Sequence, residues 1–177
     1  MTFKFARILT IAAAMAAGQS AQAQTEESSN RVATDTDWSV FVDENPKECW
    51  GVSAPKESAN TRDGQAVEVR RGDILLFVFY RPGASVSGQV AFTGGYPFAT
   101  GSTASLSIGG TSFELFTEGE WAWPATPADD ARIVAAMKRG ADASVVARSG
   151  RGTRTEDRFS LLGFTAAVEE AERRCAS

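Results

Sequence analysis

Four arginines recur every three or four residues near the C-terminus of the chain. They are Arg148, Arg151, Arg154 and Arg158. Guanidinium groups donate paired hydrogen bonds to carboxylates and phosphates, so this spacing indicates an edge that binds a phosphate, a sulfate or an acidic sugar. Backbone N–H groups at Ser149, Gly150 and Gly152 would assist such binding. The alternative is that some arginines pair with Glu156 and Asp157 while the rest face solvent. In an extended strand, moreover, three-residue spacing alternates faces, so the four arginines need not form one patch.

Three aromatic residues beside predicted turns form a second candidate site. Tyr96, Trp121 and Trp123 can provide a stacking platform for a sugar or for a protein partner, because their rings are flat and amphipathic. The alternative is that they cover a small core. Trp38 and Trp50 are expected to lie in the core itself. The predicted interaction surface combines the three aromatic residues with Arg148, Arg151 and Arg154.

The chain contains no histidine. This removes the usual general base beside a serine or cysteine nucleophile, and it removes the commonest zinc ligand. Carboxylate chemistry remains conceivable, with candidates at Glu114, Glu118, Glu120, Glu156 and Asp157. Each lies in a polar turn or on the outer face of a strand, so we interpret them as solvated surface charges. We predict no catalytic residue, no cofactor, no metal ligand and no enzymatic activity.

The first 23 residues have the features of a secretory signal peptide. Lys4 and Arg7 precede an alanine-rich apolar stretch at residues 8–18 that is too short to span a bilayer, and Ala21-Gln22-Ala23 is a small-residue cleavage site. We expect cleavage after Ala23 and no transmembrane segment in the mature protein; the alternative is an uncleaved membrane anchor. Loss of the two basic residues takes the formal net charge from −4 to −6. A chain this acidic is not expected to bind nucleic acid.

Only two cysteines are present, Cys49 and Cys175. An exported protein meets an oxidising compartment, and two thiols allow a single intramolecular pairing. We therefore predict one disulfide between them, with two free buried thiols as the alternative.

Short apolar segments separated by turn residues dominate the middle of the chain. Residues 24–36 are polar and without periodicity, so we predict a disordered leader there and a single domain at 37–177. Residues 55–64 are predicted to be a polar loop. The predicted strands include 38–42, 48–53, 74–80 and 89–92, and the run I-L-L-F-V-F-Y at 74–80 indicates a central strand covered on both sides. Gly109-Gly110 predicts a two-residue hairpin that sets Leu106 opposite Phe113 and Ala104 opposite Leu115.

Two helices complete the predicted elements. The first begins after Thr126 as N-cap with Pro127 in its first turn, and its apolar face is Ile133, Val134 and Met137. The second covers about 165–174, where a stripe recurs at spacings of 4, 3 and 4. That stripe consists of Phe164, Val168, Ala171 and Cys175. Six to nine strands with two short helices favour a mainly β fold, a single-domain β-sandwich of immunoglobulin-like architecture.

Several short motifs occur in an order that resembles the invasion-associated locus B family. They are Cys49-Trp50, Gly95-Tyr96-Pro97, Ala122-Trp123, the A-A-M-K-R-G segment at 135–140, the S-G-R-G-T-R-T-E-D-R-F-S-L-L-G-F segment at 149–164, and Cys175. The resemblance covers essentially all of the mature chain. One departure is Phe159, which stands where the family pattern leads us to expect tyrosine and so lacks a hydroxyl.

The resemblance implies an exported envelope protein of a Gram-negative bacterium, with a compact β-sandwich and no assigned catalytic residue. Cys49 and Cys175 match the paired cysteines of the family. The expected role is a binding or interaction module whose partner is a protein or envelope component, and a periplasmic binder of small ligands or glycans is the alternative. The expected location is the periplasm, with the outer surface or the medium as alternatives. The sequence predicts no oligomeric state.

Overall fold

The computed structural model describes residues 30–176, which form twelve strands, two α-helices and a short 3-10 turn at Pro82–Ala84. The strands are β1 (Arg31–Asp35), β2 (Trp38–Glu44), β3 (Lys47–Ser53), β4 (Glu57–Arg62), β5 (Gln65–Ala66), β6 (Leu75–Arg81), β7 (Val86–Thr93), β8 (Thr103–Ile108), β9 (Thr111–Glu118), β10 (Trp121–Trp123), β11 (Asp142–Arg148) and β12 (Arg154–Ser160). The helices are α1 (Pro127–Met137) and α2 (Phe164–Ala176). The predicted mainly β class with two helices is confirmed.

All twelve strands belong to one antiparallel series, in the order β1-β2-β3-β6-β7-β10-β9-β8-β11-β12-β4-β5. The two halves of this series face each other across the core. Phe92 of β7 and Phe159 of β12 are both fully buried, and their rings meet edge to face at 6.1 Å between centroids. The sandwich is therefore made by one sheet that folds over itself, and Phe159 fills its centre with an apolar ring.

Strand β6 is buried on both faces, as its continuous apolar run predicts. Leu76, Val78 and Tyr80 point into the main core, while Phe77 and Phe79 belong to a separate small cluster on the opposite, outer face. Alternation of side chains along a strand requires this division.

The hairpin between β8 and β9 has the predicted register. Leu106 pairs with Phe113 and Ala104 with Leu115. Gly109 and Gly110 have φ of 54° and 82°, the positive values that a tight two-residue turn demands and that glycine adopts without strain. The register of this hairpin is therefore confirmed as predicted from the Gly109-Gly110 turn.

Both helices pack their predicted apolar stripes on the sheet. In α1, the Thr126 side chain accepts the Asp129 N–H at 3.2 Å, and Ile133 and Met137 are buried. In α2 the whole predicted stripe is buried, which carries Cys175 to Cys49 of β3. The two sulfurs form a disulfide, so this prediction is confirmed. The chain enters α2 through Gly163 at φ 88°, where a Cβ would overlap the Asp35 carbonyl oxygen.

Two polar segments predicted to lack regular structure are strands. Within the predicted disordered leader at 24–36, residues 31–35 form β1 and pair with β2, so the leader prediction is wrong for this part. The predicted loop at 55–64 contains β4, which pairs with β12. Both are held by backbone hydrogen bonds at the margins of the sheet, where solvent-facing side chains need no apolar alternation. The predicted signal peptide at 1–23 and leader residues 24–29 lie outside the described residues.

Within residues 30–176, no helix has the length and apolar character needed to span a membrane.

Removal of the disulfide should lower the free energy of unfolding by about 2–5 kcal/mol, because the bridge links residues far apart in sequence and so restricts the unfolded chain strongly. The separation is 126 residues. Urea denaturation of the Cys49→Ser/Cys175→Ser variant against the oxidised wild type measures the loss. A reductant should destabilise the wild type equally and leave the double variant unchanged. Identical midpoints for oxidised and reduced wild type would contradict the prediction.

Candidate binding sites

The outer side of the sheet formed by β2, β3, β6, β7, β10 and β9 carries a row of aromatic side chains, which we call the aromatic face. Its members are Phe41, Trp50, Phe77, Phe79, Phe116, Trp121 and Trp123. Strand register places them together, since Phe41 pairs with Trp50, Trp50 with Phe79, and Trp123 with Phe116. Because Cys49 and Ala122 point inward, their neighbours must point outward.

Ring contacts on the aromatic face join side chains from four strands, β2, β3, β6 and β10. Phe41 stacks on Trp50 with centroids 5.5 Å apart, and Trp50 lies 6.2 Å from Phe79. Phe79 stacks on Phe77 at 5.0 Å, and Phe77 contacts Trp121 at 5.6 Å across the small side chain of Ala91 in β7. Trp121 is 41% exposed and Phe116 is 48% exposed. The row therefore runs from a half-buried end to rings that stand in solvent.

Polar groups are fixed at the centre of the aromatic face. The Arg81 guanidinium lies 4.3 Å from the Phe79 ring centroid, donates from Nε to Glu48 at 2.7 Å, and donates from Nη1 to Gln89 at 2.8 Å. Arg81, Gln89 and Phe79 line a cleft of about 300 Å³, together with Trp121 and Trp123. Flat rings beside oriented donors can stack on an apolar group and hydrogen-bond its polar substituents.

A second cleft of about 470 Å³ adjoins the first, and Gln89 and Trp123 line both. The start of α1 forms its other wall. There the buried Asp130 carboxylate accepts a hydrogen bond from the Val90 backbone N–H at 2.8 Å. This bond joins α1 to a part of β7 that is not paired with β10. Burial raises the pKa of the Asp130 carboxyl above its ordinary value. This hydrogen bond holds the cleft wall in place.

A larger cleft of about 610 Å³ lies at another margin of the sandwich, and we call it the arginine-lined cleft. Its wall comes from the end of β4, the segment after β5, the turn after β7 and the turn between β11 and β12. The charged residues that line it are Arg62, Glu68, Arg70, Arg71, Glu120 and Arg151. Tyr96 and the small side chains of Ser149, Thr153 and Thr155 complete it.

A buried ion pair forms the base of the arginine-lined cleft. Arg71 donates from Nη1 and Nη2 to the two carboxylate oxygens of Asp157, at 2.8 and 2.6 Å, and the two side chains are 6% and 0% exposed. Arg71 also donates from Nε to the Gly94 carbonyl oxygen, and Ser58 donates to Asp157 at 2.7 Å. A buried pair persists only where further hydrogen bonds satisfy both partners, and here they do.

Tyr96 closes one side of the same base. Its hydroxyl lies 2.5 Å from the Thr155 hydroxyl, and its ring lies 5.1 Å from the Arg71 guanidinium carbon. Burial raises the pKa of the Tyr96 phenol, so it stays neutral at physiological pH. Its ring packs edge to face on the buried Phe98. Tyr96 therefore presents a fixed, uncharged surface to the cleft.

The predicted aromatic site divides between two places. Trp121 and Trp123 lie on the aromatic face, whereas Tyr96 lines the arginine-lined cleft. Trp38 is fully buried, donates from its indole nitrogen to the Ser160 carbonyl oxygen at 3.0 Å, and lies in the core as predicted. The prediction that Trp50 also lies in the core is wrong, because Trp50 lies on the aromatic face. Cys49 points inward, and alternation along the strand therefore turns the adjacent Trp50 outward.

The four predicted arginines are also separated. Arg151 lines the arginine-lined cleft. Arg148 and Arg154 instead stand opposite each other in the register of β11 and β12, at the exposed start of the turn. Arg154 forms an ion pair with Glu156 at 3.0 Å. The predicted backbone donors are engaged within the turn region, since Ser149 donates to Thr153, Gly150 to Pro97, and Gly152 to Ser149.

Sequence reasoning missed the basic residues that accompany Arg151, namely Arg62, Arg70 and Arg71. It also treated Asp157 as a solvated charge, and that is wrong, because Asp157 is fully buried against Arg71. The signal available was the placement of Asp157 between Thr155 and Phe159, which alternation puts on the same inward face of β12. Nothing local links Asp157 to Arg71, 86 residues away.

In the described part of the chain, no three His, Cys, Asp or Glu residues are grouped so that they could hold a metal ion. Of the other predicted carboxylates, Glu114 accepts from Thr103 at 3.3 Å and Glu156 pairs with Arg154. Glu118 and Glu120 are exposed at the turn between β9 and β10.

Comparison with known proteins gives a consistent result. The family model described as "Invasion associated locus B (IalB) protein" matches residues 38–172. A solved structure, the invasion associated protein B of Bartonella henselae, aligns with a TM-score of 0.55 at 14% sequence identity, over 82% of this chain and 98% of that one. At that identity the likeness shows a common fold. No match exists among the curated protein sequences.

Replacement of Arg71 by alanine should lower the free energy of unfolding by about 3–5 kcal/mol, because it leaves the Asp157 carboxylate buried without a counter-charge. Arg154→Ala is the matched control: its pair with Glu156 is exposed, so the change should stay within about 1 kcal/mol. Urea denaturation of both variants measures the difference. Equal losses in the two variants would contradict the role given to the buried pair.

Proposed function

The chain belongs to the invasion associated locus B family, and we propose that it is an exported, non-enzymatic protein of a Gram-negative cell envelope that binds a protein partner through its aromatic face. The observation that carries the proposal is the continuous row of rings that ends in the exposed side chain of Trp121, with the exposed Phe116 on the neighbouring strand β9. Aromatic residues of this kind are enriched at the cores of protein interfaces, where a few of them supply most of the binding energy.

The chemistry of the aromatic face favours an apolar partner segment. Its central charge, on Arg81, is already matched by Glu48 at 2.7 Å, so the centre offers no free charge to an ionic ligand. The rings are held by strand pairing and by one another, so little conformational entropy is lost when a partner docks. A protein segment with apolar side chains fits the clefts beside Trp121 and Trp123.

Export is supported by the basic, apolar and small-residue pattern of residues 1–23. The disulfide between Cys49 and Cys175 is consistent with an oxidising compartment. We place the protein in the periplasm, and the outer surface and the medium are the alternatives.

A second candidate function is the binding of a small ligand or a glycan in the periplasm. It is favoured by the arginine-lined cleft, whose volume of about 610 Å³ lies in the range of small-molecule sites. The two candidates use different residues, so variants can separate them.

Replacement of Trp121 by alanine should weaken saturable binding of the purified mature protein to isolated envelopes by at least about thirtyfold, the loss typical of a central aromatic anchor. The matched control is Leu162→Ala, which removes a side chain that is 60% exposed but lies outside the aromatic face, just before α2. Surface plasmon resonance on immobilised envelope vesicles measures both affinities.

The same vesicles identify the class of partner. Protease treatment should abolish binding, and periodate oxidation of glycans should leave it intact. The reverse pattern would favour the second candidate function. Equal affinity of wild type and Trp121→Ala would exclude the aromatic face as the docking surface.

Osmotic shock of cells that produce the full chain should release a protein that begins at Gln24, because signal peptidase cleaves after the small-residue motif. Intact mass spectrometry measures the start, and protease added to unbroken cells tests exposure. Protection from that protease indicates the periplasm; digestion indicates the outer surface. A full-length chain that stays in the membrane fraction would contradict cleavage.

A further inference from the structure

We propose that the arginine-lined cleft binds a saccharide that carries a single carboxylate, such as a uronic acid. This inference deepens the second candidate function and is independent of the aromatic face, since no residue lines both sites. Four features of the cleft carry it: the balance of charge, the donors, the acceptors and the rigid base.

The charge balance selects a monoanion. Arg71 is neutralised by Asp157 beneath it. The remaining lining charges are three exposed guanidinium groups, on Arg62, Arg70 and Arg151, and two exposed carboxylates, on Glu68 and Glu120. The cleft thus has an excess of one positive charge. A single carboxylate matches this excess, whereas a doubly charged phosphate would leave the occupied cleft with a net negative charge.

The donors for a carboxylate are available. Among residues 30–176, neither Arg70 nor Arg151 has an ion-pair partner. Arg62 uses one N–H, from Nη2, to reach the Thr153 hydroxyl at 2.8 Å and keeps its other donors. An arginine with a free fork binds a carboxylate through two parallel hydrogen bonds, which fixes its position as well as its charge.

The acceptors in the cleft point to hydroxyl groups on the same ligand. Glu68 and Glu120 form no ion pair within the described part of the chain, and an ionised carboxylate only accepts hydrogen bonds. A ligand that satisfies them must donate, and sugar hydroxyls do so without adding charge. One carboxylate and several hydroxyls on one small molecule describe an acidic sugar.

The base of the cleft is rigid. Gly72 donates its N–H to the Gly95 carbonyl oxygen at 2.8 Å, and a Cβ on Gly95 would lie 2.5 Å from the Gly72 carbonyl oxygen, so these two segments touch through bare backbone. Beneath these segments, the ion pair of Arg71 and Asp157 and the ring of Tyr96 against Arg71 hold the floor of the cleft in place. The floor is preformed, and only the exposed arginine and glutamate side chains of the rim lose side-chain entropy on binding.

The test uses the purified mature protein with three probes: glucuronate, glucose and inorganic phosphate. NMR titration should show saturable shifts of backbone amides at 68–72, 95–96 and 149–153 with glucuronate. Glucose should bind at least about tenfold more weakly, because the guanidinium groups then lack their anion. Phosphate should also bind more weakly than glucuronate.

Matched variants locate the effect. Arg151→Gln and Arg70→Gln remove exposed charges and should each weaken glucuronate about tenfold or more, as expected for a charge-assisted hydrogen bond. Arg148→Gln removes an arginine that is also exposed but does not line the cleft, and this variant should bind as the wild type does. Trp121→Ala should also retain glucuronate binding, which separates failure of this site from failure of the aromatic face.

Several outcomes would overturn the inference. One is equal affinity for glucose and glucuronate, which would show that the arginines do not read the carboxylate. Another is phosphate binding tighter than glucuronate binding. A third is a loss in Arg148→Gln as large as that in Arg151→Gln. Absence of any glucuronate shift at about 10 mM, a concentration that detects even millimolar dissociation constants, would also reject it.

Discussion

Strand β6 imposes the constraint on which the rest of the structure depends. From Leu76 to Tyr80 every side chain is apolar or aromatic and nearly buried, yet the second layer of the sandwich covers only one side of the sheet. The other side must be covered by residues of the same layer. Neighbouring strands supply rings for this purpose, and Trp50 and Trp121 flank the Phe77–Phe79 pair. Because the side chains that cover Phe77 and Phe79 are themselves aromatic, the surface they present to solvent is aromatic too. A packing requirement inside β6 thereby creates an apolar face toward solvent.

The arginine-lined cleft depends on a different interaction, the buried pair of Arg71 and Asp157. The pair joins the segment after β5 to β12, and removal of either partner is strongly destabilising because it leaves the other charge buried and unpaired. Tyr96 then packs against the guanidinium, and Thr155 against Tyr96. The shape of the cleft follows from this chain of contacts. Its rim residues, by contrast, are long exposed side chains that can move to a ligand.

Sequence reasoning succeeded where a local pattern has a local cause. The hairpin register followed from Gly109-Gly110, α1 from its Thr126 cap, and the inward Cys175 from the stripe of α2. It failed for β1 and β4, because strands at or near the margin of the sheet are held by backbone hydrogen bonds and show no apolar alternation. The candidate sites could be predicted only in part. Trp121, Trp123 and Arg151 were identified by type, but their partners come from strands distant in sequence, and only tertiary pairing brings Arg71 to Asp157 or Trp121 to Phe77.

The proposed anionic ligand must enter a site on a chain whose formal net charge is −4. The predicted cleavage after Ala23 would remove two positive charges and take this value to −6. The net charge and the local charge act over different distances. At physiological ionic strength the Debye length is about 8 Å, so the negative surface beyond the cleft is largely screened. A carboxylate in hydrogen-bond contact with Arg70 or Arg151 is roughly 3 Å from its partner and is screened much less. Recognition then rests on contact geometry inside the cleft, and the acidity of the whole chain opposes only the long-range approach.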